Sequence, residues 1–377
     1  MPFLSRLVHR FSTVATPTPK ISSIIRQLYR EKDLERLVDK FKKSSDLERF
    51  RTKGGIYKDT VRRLAHAKPF EYVEEILEHQ KQYKDASKEG FSVRLISLYG
   101  QAGMFENAHK LFEEMPERNC KQTIFSFNAL LGACVNSKKF DMVDGLFSDL
   151  PKKLGIEPDL VSYNTVVKAY CKMGSFDSAT KLLDEMEKKG ENPDRITFNT
   201  LLYAFYNNGR FADAEMIWQR MVDKIVTPDI RSYNAKLNGL AIEKKTKEAV
   251  ELVEEMRNKK IKPDVFSFNA VIKGFVNEGK LEEAKQWYDD IEKSDCVINK
   301  GTFTILVPFV CEKGDLELSF ELCKKILSRR CLVDQELLQL VVDSLVKVSK
   351  IEEAKKLVEL SKTINYCEYN LKLSSEK

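Results

Sequence analysis

A string of Asp, three residues, an aromatic and Asn recurs at 159–164, 194–199, 229–234 and 264–269, each copy 35 residues after the last. Pro158, Pro193, Pro228 and Pro263 precede the four aspartates. Such a register restricts the chain to a stack of like units, because a segment of this length cannot bury an apolar face alone. Counted from the residue after each Asp, units begin at 160, 195, 230, 265, 300 and 335. The frame runs upstream through one 36-residue unit to 124, then to 89, 54 and 19, so ten units end at 369.

Each unit reads as two helices. In 160–194, Val161, Tyr163, Val166, Val167 and Tyr170 fall at helical spacing. After a break at Met173, Gly174 and Ser175, the period resumes with Phe176, Ala179, Leu182, Leu183 and Met186. Gly174 and Gly209 stand past the last turn of a first helix, where the chain must often take positive φ. The segment from Gly190 to Pro193 stops the second helix, since proline lacks an N–H and restricts its predecessor. The seventeenth residue is Phe70, Phe105, Phe140, Phe176 or Phe211 in successive units, and three places later comes a small or slender residue such as Ala108, Ala179 or Ala214. The fold class this predicts is all-α: a right-handed α-solenoid of about ten helix-turn-helix repeats, with no separate catalytic domain. Pro308, inside a first helix, is expected to bend it locally.

Composition narrows function mainly by exclusion. The longest apolar run, 305–311, is far short of the ~20 residues a membrane span needs, so no membrane partner is expected. The formal charge is +6, but Arg6, Arg10, Lys20, Arg26 and Arg30 supply five of it within 1–30, where no acid occurs. Net charge is therefore no argument for nucleic acid; only side-chain placement can be one. Residues 1–18 have spaced arginines, Ser, Thr and apolar residues without Asp or Glu, the composition of an organelle-import peptide. Mitochondrial matrix is the expected location, plastid the alternative. Eight cysteines form no CxxC pair and read as reduced thiols, and four histidines form no ligand cluster, so no metal or other cofactor is expected. Trp218 and Trp287 sit at apolar spacing and read as core, and the acidic pairs read as solvated helix faces. No catalytic residue and no small-molecule substrate is implied.

Val161-Ser162-Tyr163-Asn164-Thr165, Ile196-Thr197-Phe198-Asn199-Thr200, the turn glycines and Glu185-Met186 or Glu255-Met256 late in second helices resemble the pentatricopeptide repeat (PPR) family. The Trp/Leu/Gly/Tyr pattern of 34-residue tetratricopeptide units is absent. The resemblance is strongest over 124–334; it makes 19–123 degenerate repeats, 335–369 a capping repeat and 370–377 a tail. In the family, the fifth and last residues of a unit meet one RNA base. An Asn amide both donates and accepts at a base edge, and a carboxylate beside it can orient it. The resemblance thus implies RNA-binding pairs Asn128/Asp159, Asn164/Asp194, Asn199/Asp229, Asn234/Asp264, Asn269/Asn299 and Thr304/Asp334, and a short track UUUU(C/U)G. The same Asp and Asn residues also suit inter-unit turns and helix starts.

Three departures bear on how such a surface works. The second place, where the family often stacks bases on small aliphatics, holds Val161 and Ile196 but then Arg231, Phe266 and Gly301. A phosphate-meeting lysine at the thirteenth place survives at Lys172 and Lys347, against Asn207, Ile242, Asn277 and Glu312, which implies weak affinity for free RNA. Lys58 and Val93 stand where the reading Asn belongs, so 19–123 cannot read bases by this rule. The stretches 96–108, 112–116 and 126–131 further resemble short plant mitochondrial PPR proteins of the mitochondrial ribosome's small subunit. That implies single-stranded or ribosomal RNA and mitochondrial small-subunit ribosomal proteins as partners. The alternatives are a transcript-specific organellar RNA factor and a protein–protein scaffold.

Overall fold

Helix boundaries keep the repeat register. A computed structural model describes residues 20–364 and 367–373, and among these there is helix and no strand. First helices open on the first residue of each unit, as in Glu89–Gln101, Ile124–Asn136, Leu160–Met173, Arg195–Asn207, Ile230–Ile242, Val265–Asn277, Lys300–Glu312 and Gln335–Lys347. Second helices open on the seventeenth, as in Phe176–Lys188, Phe211–Asp223, Thr246–Asn258, Leu281–Lys293, Leu316–Ser328 and Ile351–Thr363. The 36-residue unit absorbs its extra residue in a 3-10 turn, Phe140–Met142, leading into Val143–Leu154. The all-α solenoid class expected from the register is the one observed. The import leader read at 1–18 lies outside the described residues. Lys300–Glu312 continues through Pro308 as one helix.

The chain folds into two compact units, the first ending at Ala169 and the second beginning at Tyr170. In the second, Arg195–Asn207, Ile230–Ile242, Val265–Asn277, Lys300–Glu312 and Gln335–Lys347 each pack on the next, forming a continuous row of first helices. In the first, Gly54–Ala67, Glu89–Gln101 and Ile124–Asn136 do the same. The fourth-place aromatic is core in each of the six units from 124 to 334: Phe127, Tyr163, Phe198, Tyr233, Phe268 and Phe303 are all buried. The small residue of the second helix explains itself by position, because Ala108, Ala179, Ala214, Ala249, Ala284 and Ala354 are all completely buried. A longer side chain there would have to be accommodated between close-packed helices.

Local chemistry sets where helices start and stop. Asp194, Asp229 and Asp264 are extended N-cap residues whose carboxylates accept the N–H of the third helical residue, while that residue's hydroxyl accepts the cap's own N–H. First helices end in a left-handed residue fifteen places into the unit: Gly174 at φ 75° and Gly209 at φ 72°, but also Lys138 at 60° and Lys244 at 59°. At the far end, Tyr369 and Leu371 are buried, and Tyr369 Oη meets both N and O of Val333 at 3.2 Å. The stretch read as a tail from 370 thus begins docked on the last repeat rather than loose. No helix among the described residues is long and apolar enough to cross a membrane.

Candidate nucleic-acid interface

The asparagines of the string emerge from first helices two residues after the third-place hydroxyl, and those at 128, 164, 199 and 234 are half-buried. Asn199 Nδ2 donates to Asp229 Oδ1 at 3.0 Å, and Ser232 Oγ donates to Asn199 Oδ1 at 2.6 Å. Asn234 repeats this with Asp264 at 3.1 Å and Ser267 at 2.6 Å. In the first unit, Asn128 does so with Asp159 at 2.9 Å and Ser162 at 2.6 Å. One oxygen of each Asp is thereby shared between the neighbouring amide and the helix cap, as in Ser232 N to Asp229 Oδ1 at 3.1 Å. The same Asp oxygen thus both caps a helix and holds the neighbouring amide.

This arrangement decides which way each amide faces. Its oxygen accepts a hydroxyl proton and one of its N–H bonds goes to the carboxylate, so the second N–H and the second oxygen lone pair remain for another molecule. Those two groups match an edge that offers one acceptor beside one donor, as a nucleobase does. Burial pushes the Asp229 carboxyl up, but the Ser232 N–H, the Asn199 amide and the Arg231 N–H outweigh it and hold it below the usual range. The carboxylate therefore stays ionised and keeps its grip on the amide at neutral pH.

The remaining expected pairs differ. Asn269 is bonded to Asn299 Oδ1 at 3.2 Å and to the Thr302 hydroxyl at 2.8 Å, and at 7% exposure it is the least open of the set to a ligand. Thr304 and Asp334 share no bond of this kind: the Thr304 hydroxyl donates to the Lys300 carbonyl at 2.9 Å, and Asp334 meets Lys300 Nζ at 2.9 Å. Asn164 lies in the first unit and Asp194 in the second, where Asp194 Oδ1 accepts from Thr197 N at 2.9 Å. Val161 and Ile196 stand at 55% and 62% exposure, and Lys172 is exposed.

Sequence reasoning missed several side chains on these surfaces. Phe125, at the second place, is 68% exposed and offers an aromatic face where aliphatics were sought, as does Phe266, named from the sequence and 62% exposed. Tyr203, one turn beyond Asn199, is 63% exposed. Lys168 and Lys273 occupy the equivalent ninth place after Asn164 and Asn269, whereas the search for phosphate-meeting lysines looked only at the thirteenth. The Ser or Thr at the third place was the readable signal for amide orientation, since it recurs with the Asn. In the first unit, Val93 leaves the cap of Ile124–Asn136 without an amide neighbour. Glu89 takes that place, accepting from Thr123 N at 2.9 Å and Thr123 Oγ1 at 2.8 Å.

The cysteines take no part in these surfaces. Cys120, Cys134 and Cys323 are buried, the other five are half-buried, and none is in a disulfide. Burial pushes the Cys134 thiol up to about 11 and that of Cys171 up to about 12. Among the described residues, no group of three or more His, Cys, Asp or Glu is gathered to hold a metal.

Comparison with known sequences decides the family. The PPR repeat family profile matches residues 94–135, 158–207, 193–242, 228–277 and 263–312, and a single PPR repeat profile matches 125–153. The chain belongs to the pentatricopeptide repeat family. Its relatives include the Arabidopsis thaliana small ribosomal subunit protein mS79, 57% identical over 178 residues, which is 47% of this chain and 45% of the relative. Arabidopsis small ribosomal subunit protein mS78 is 54% identical over 193 residues, 48% of each sequence. An Arabidopsis PPR-containing protein named as mitochondrial is 37% identical over 162 residues, 43% of this chain and 41% of the relative. The matches thus span less than half the length of these relatives. Among solved structures, the PPR protein PPR10 from maize aligns with a TM-score of 0.51 at 18% identity, covering 92% of this chain and 59% of that one. That likeness shows the PPR fold.

Proposed function

We propose that this PPR protein is a non-catalytic RNA-binding component of the small subunit of a plant-type mitochondrial ribosome. The observation that carries RNA binding is the set of amides braced between a hydroxyl and a carboxylate in three repeats, at Asn128, Asn199 and Asn234, each left with one donor and one acceptor. Exposed Ile196 and Tyr203 share a helix with Asn199, and exposed Phe125 shares one with Asn128, so an unstacked base there has both an edge to bond and a side chain to rest on. The names of the relatives mS79 and mS78 support the ribosomal assignment. The leader composition, together with the relative named as mitochondrial, supports the mitochondrial matrix. Its partners are then ribosomal or single-stranded RNA and neighbouring small-subunit proteins.

Sedimentation tests the assignment. The endogenous protein is expected to co-migrate with the mitochondrial small subunit through high salt and after removal of messenger RNA. Release under either treatment would favour the second reading, a transcript-specific RNA factor, for which the same braced amides speak. The base contact is tested separately: Asn128→Ala with Asn199→Ala and Asn234→Ala is expected to abolish crosslinking to U-rich RNA. Unchanged crosslinks would leave those residues with helix capping alone.

A further inference from the structure

The first two repeats carry a surface the amide scheme does not use. Lys58 stands in Gly54–Ala67 at the register position of Asn128, and Arg62 stands one turn further along the same face. Tyr29 Oη donates to Asp59 Oδ2 at 2.6 Å, which ties Ile21–Arg30 to Gly54–Ala67 beside that face. Ile21–Arg30 adds exposed Arg26 and Arg30 and no carboxylate. Asp59 is the lone acid of the two helices, and it is already bonded to Tyr29 and, at 2.8 Å, to Arg62. Among the described residues, Arg26, Arg30 and Lys58 have no carboxylate within ion-pair reach, whereas neighbouring Lys40, Lys42 and Arg62 each have one.

The acids of this region point elsewhere. Glu74, Glu75 and Glu78 of Phe70–Glu78 are engaged by Asn107 at 3.0 Å, Lys42 at 2.7 Å and Tyr99 at 2.7 Å. In the second repeat the first helix thus carries the unpaired Lys58 while Glu74, Glu75 and Glu78 of the second helix are bonded to other residues. The free cations also have room before them. Gly55 stands at the second place of Gly54–Ala67, where later repeats carry Phe125 or Val161, and an added Cβ there would meet nothing within 4 Å. The second place of this repeat thus offers no side chain to lie against an unstacked base and Lys58 at the fifth offers no amide to read one, while half-exposed Tyr29 is held to Asp59 by its hydroxyl.

We infer that the first-helix face of residues 21–67 binds the phosphate backbone of double-stranded RNA without reading its sequence. Duplex RNA is recognised through backbone and shape, with its bases stacked inside. A bare, cationic, uncluttered surface fits that ligand, whereas a single strand is held by stacking platforms. Each freed phosphate counterion makes binding steeply dependent on salt.

The test uses the full chain and two probes, a 20-base-pair RNA duplex of mixed sequence and a single-stranded oligouridine, read by fluorescence anisotropy over a salt series. The variant Arg26→Gln, Arg30→Gln, Lys58→Gln changes only exposed side chains, and its circular dichroism and melting curve are checked against the parent. It is expected to bind duplex at least tenfold more weakly at low salt, with the slope of log affinity against log salt reduced by about 2 to 3. Binding of oligouridine is expected to change less than threefold. The triple Asn→Ala variant described above is expected to do the reverse, so the two surfaces fail separately. An unchanged duplex slope would overturn the backbone surface, and equal losses on both probes would overturn its assignment to duplex.

Discussion

At the scale of single residues, the third-place hydroxyl proves as telling as the asparagine it faces. An Asn amide free to flip presents donor and acceptor in either order; Ser232 Oγ on Asn199 Oδ1 fixes that order. Ser232→Ala is therefore expected to weaken U-rich RNA binding several-fold while leaving Asn199 in place, with a loss of about 1 kcal/mol from the cap it also serves. Anisotropy and a melting curve separate the two effects; equal affinity would show that the amide needs no bracing. Asp229 adds a pH signature. Its folded carboxyl is held below the usual range, so its contribution is complete above the unfolded value of about 3.9 and is lost as pH falls through the folded one. Asp229→Asn keeps a cap acceptor but removes that titration, and its melting temperature is expected to fall less steeply than the parent's between about pH 5 and pH 2.5. A parallel fall in both would assign the acid sensitivity to other groups.

At the scale of helices and turns, the register was legible because it is enforced by backbone geometry, and the exceptions show why some of it was not. Gly174 and Gly209 announce a left-handed residue in the sequence, yet Lys244 takes the same conformation with a side chain that disfavours it. There the packing of the two flanking helices, not the local residue, dictates φ. Lys244→Gly is accordingly expected to stabilise the protein by about 0.5–1 kcal/mol, seen as a higher melting temperature; a lower one would mean the lysine side chain contributes contacts that outweigh its strain. The converse holds at Gly100, where an added Cβ would lie 2.4 Å from Ala133 Cα. That neighbour is backbone in the next first helix and cannot swing aside, so Gly100→Ala is expected to cost about 1–3 kcal/mol. The candidate site was readable to the extent that it coincides with this register: Asn199 and Asp229 could be named from spacing alone. Lys168, Lys273 and Tyr203 could not, since only the helix surface shows that the ninth place lies over the asparagine's turn. The close burial of Asn269 was equally hidden, because it depends on what Thr302 and Asn299 of the next repeat do with their hydrogen bonds.

At the scale of the whole molecule, a solenoid is held by nearest-neighbour contacts, so its ends are its weak points unless something covers them. The last repeat of the second unit solves this with a short extended segment. Leu371 and Tyr369 join the apolar cluster that holds Leu338, Val341, Val342, Leu345 and Leu357. Lys372 N donates to Gln339 Oε1 at 3.0 Å while Gln339 Nε2 donates to Lys372 O at 2.7 Å, so the segment satisfies its backbone as a strand edge would. Ending the chain at residue 366 removes all of these contacts at once and leaves Val333 N–H without the tyrosine hydroxyl. Hydrogen exchange is the fitting measurement, since such arrays open locally rather than all together. The truncated chain is expected to lose protection first and most in Gln335–Lys347 and Ile351–Thr363, with a graded loss toward Lys300–Glu312 and little change in Arg195–Asn207. RNA binding through Asn199 and Asn234 should survive the truncation, because those amides are braced by residues three and more helices away from the damaged end. Uniform loss of protection across the second unit would mean that its repeats fold as one cooperative body, and the nearest-neighbour account of its stability would have to be abandoned.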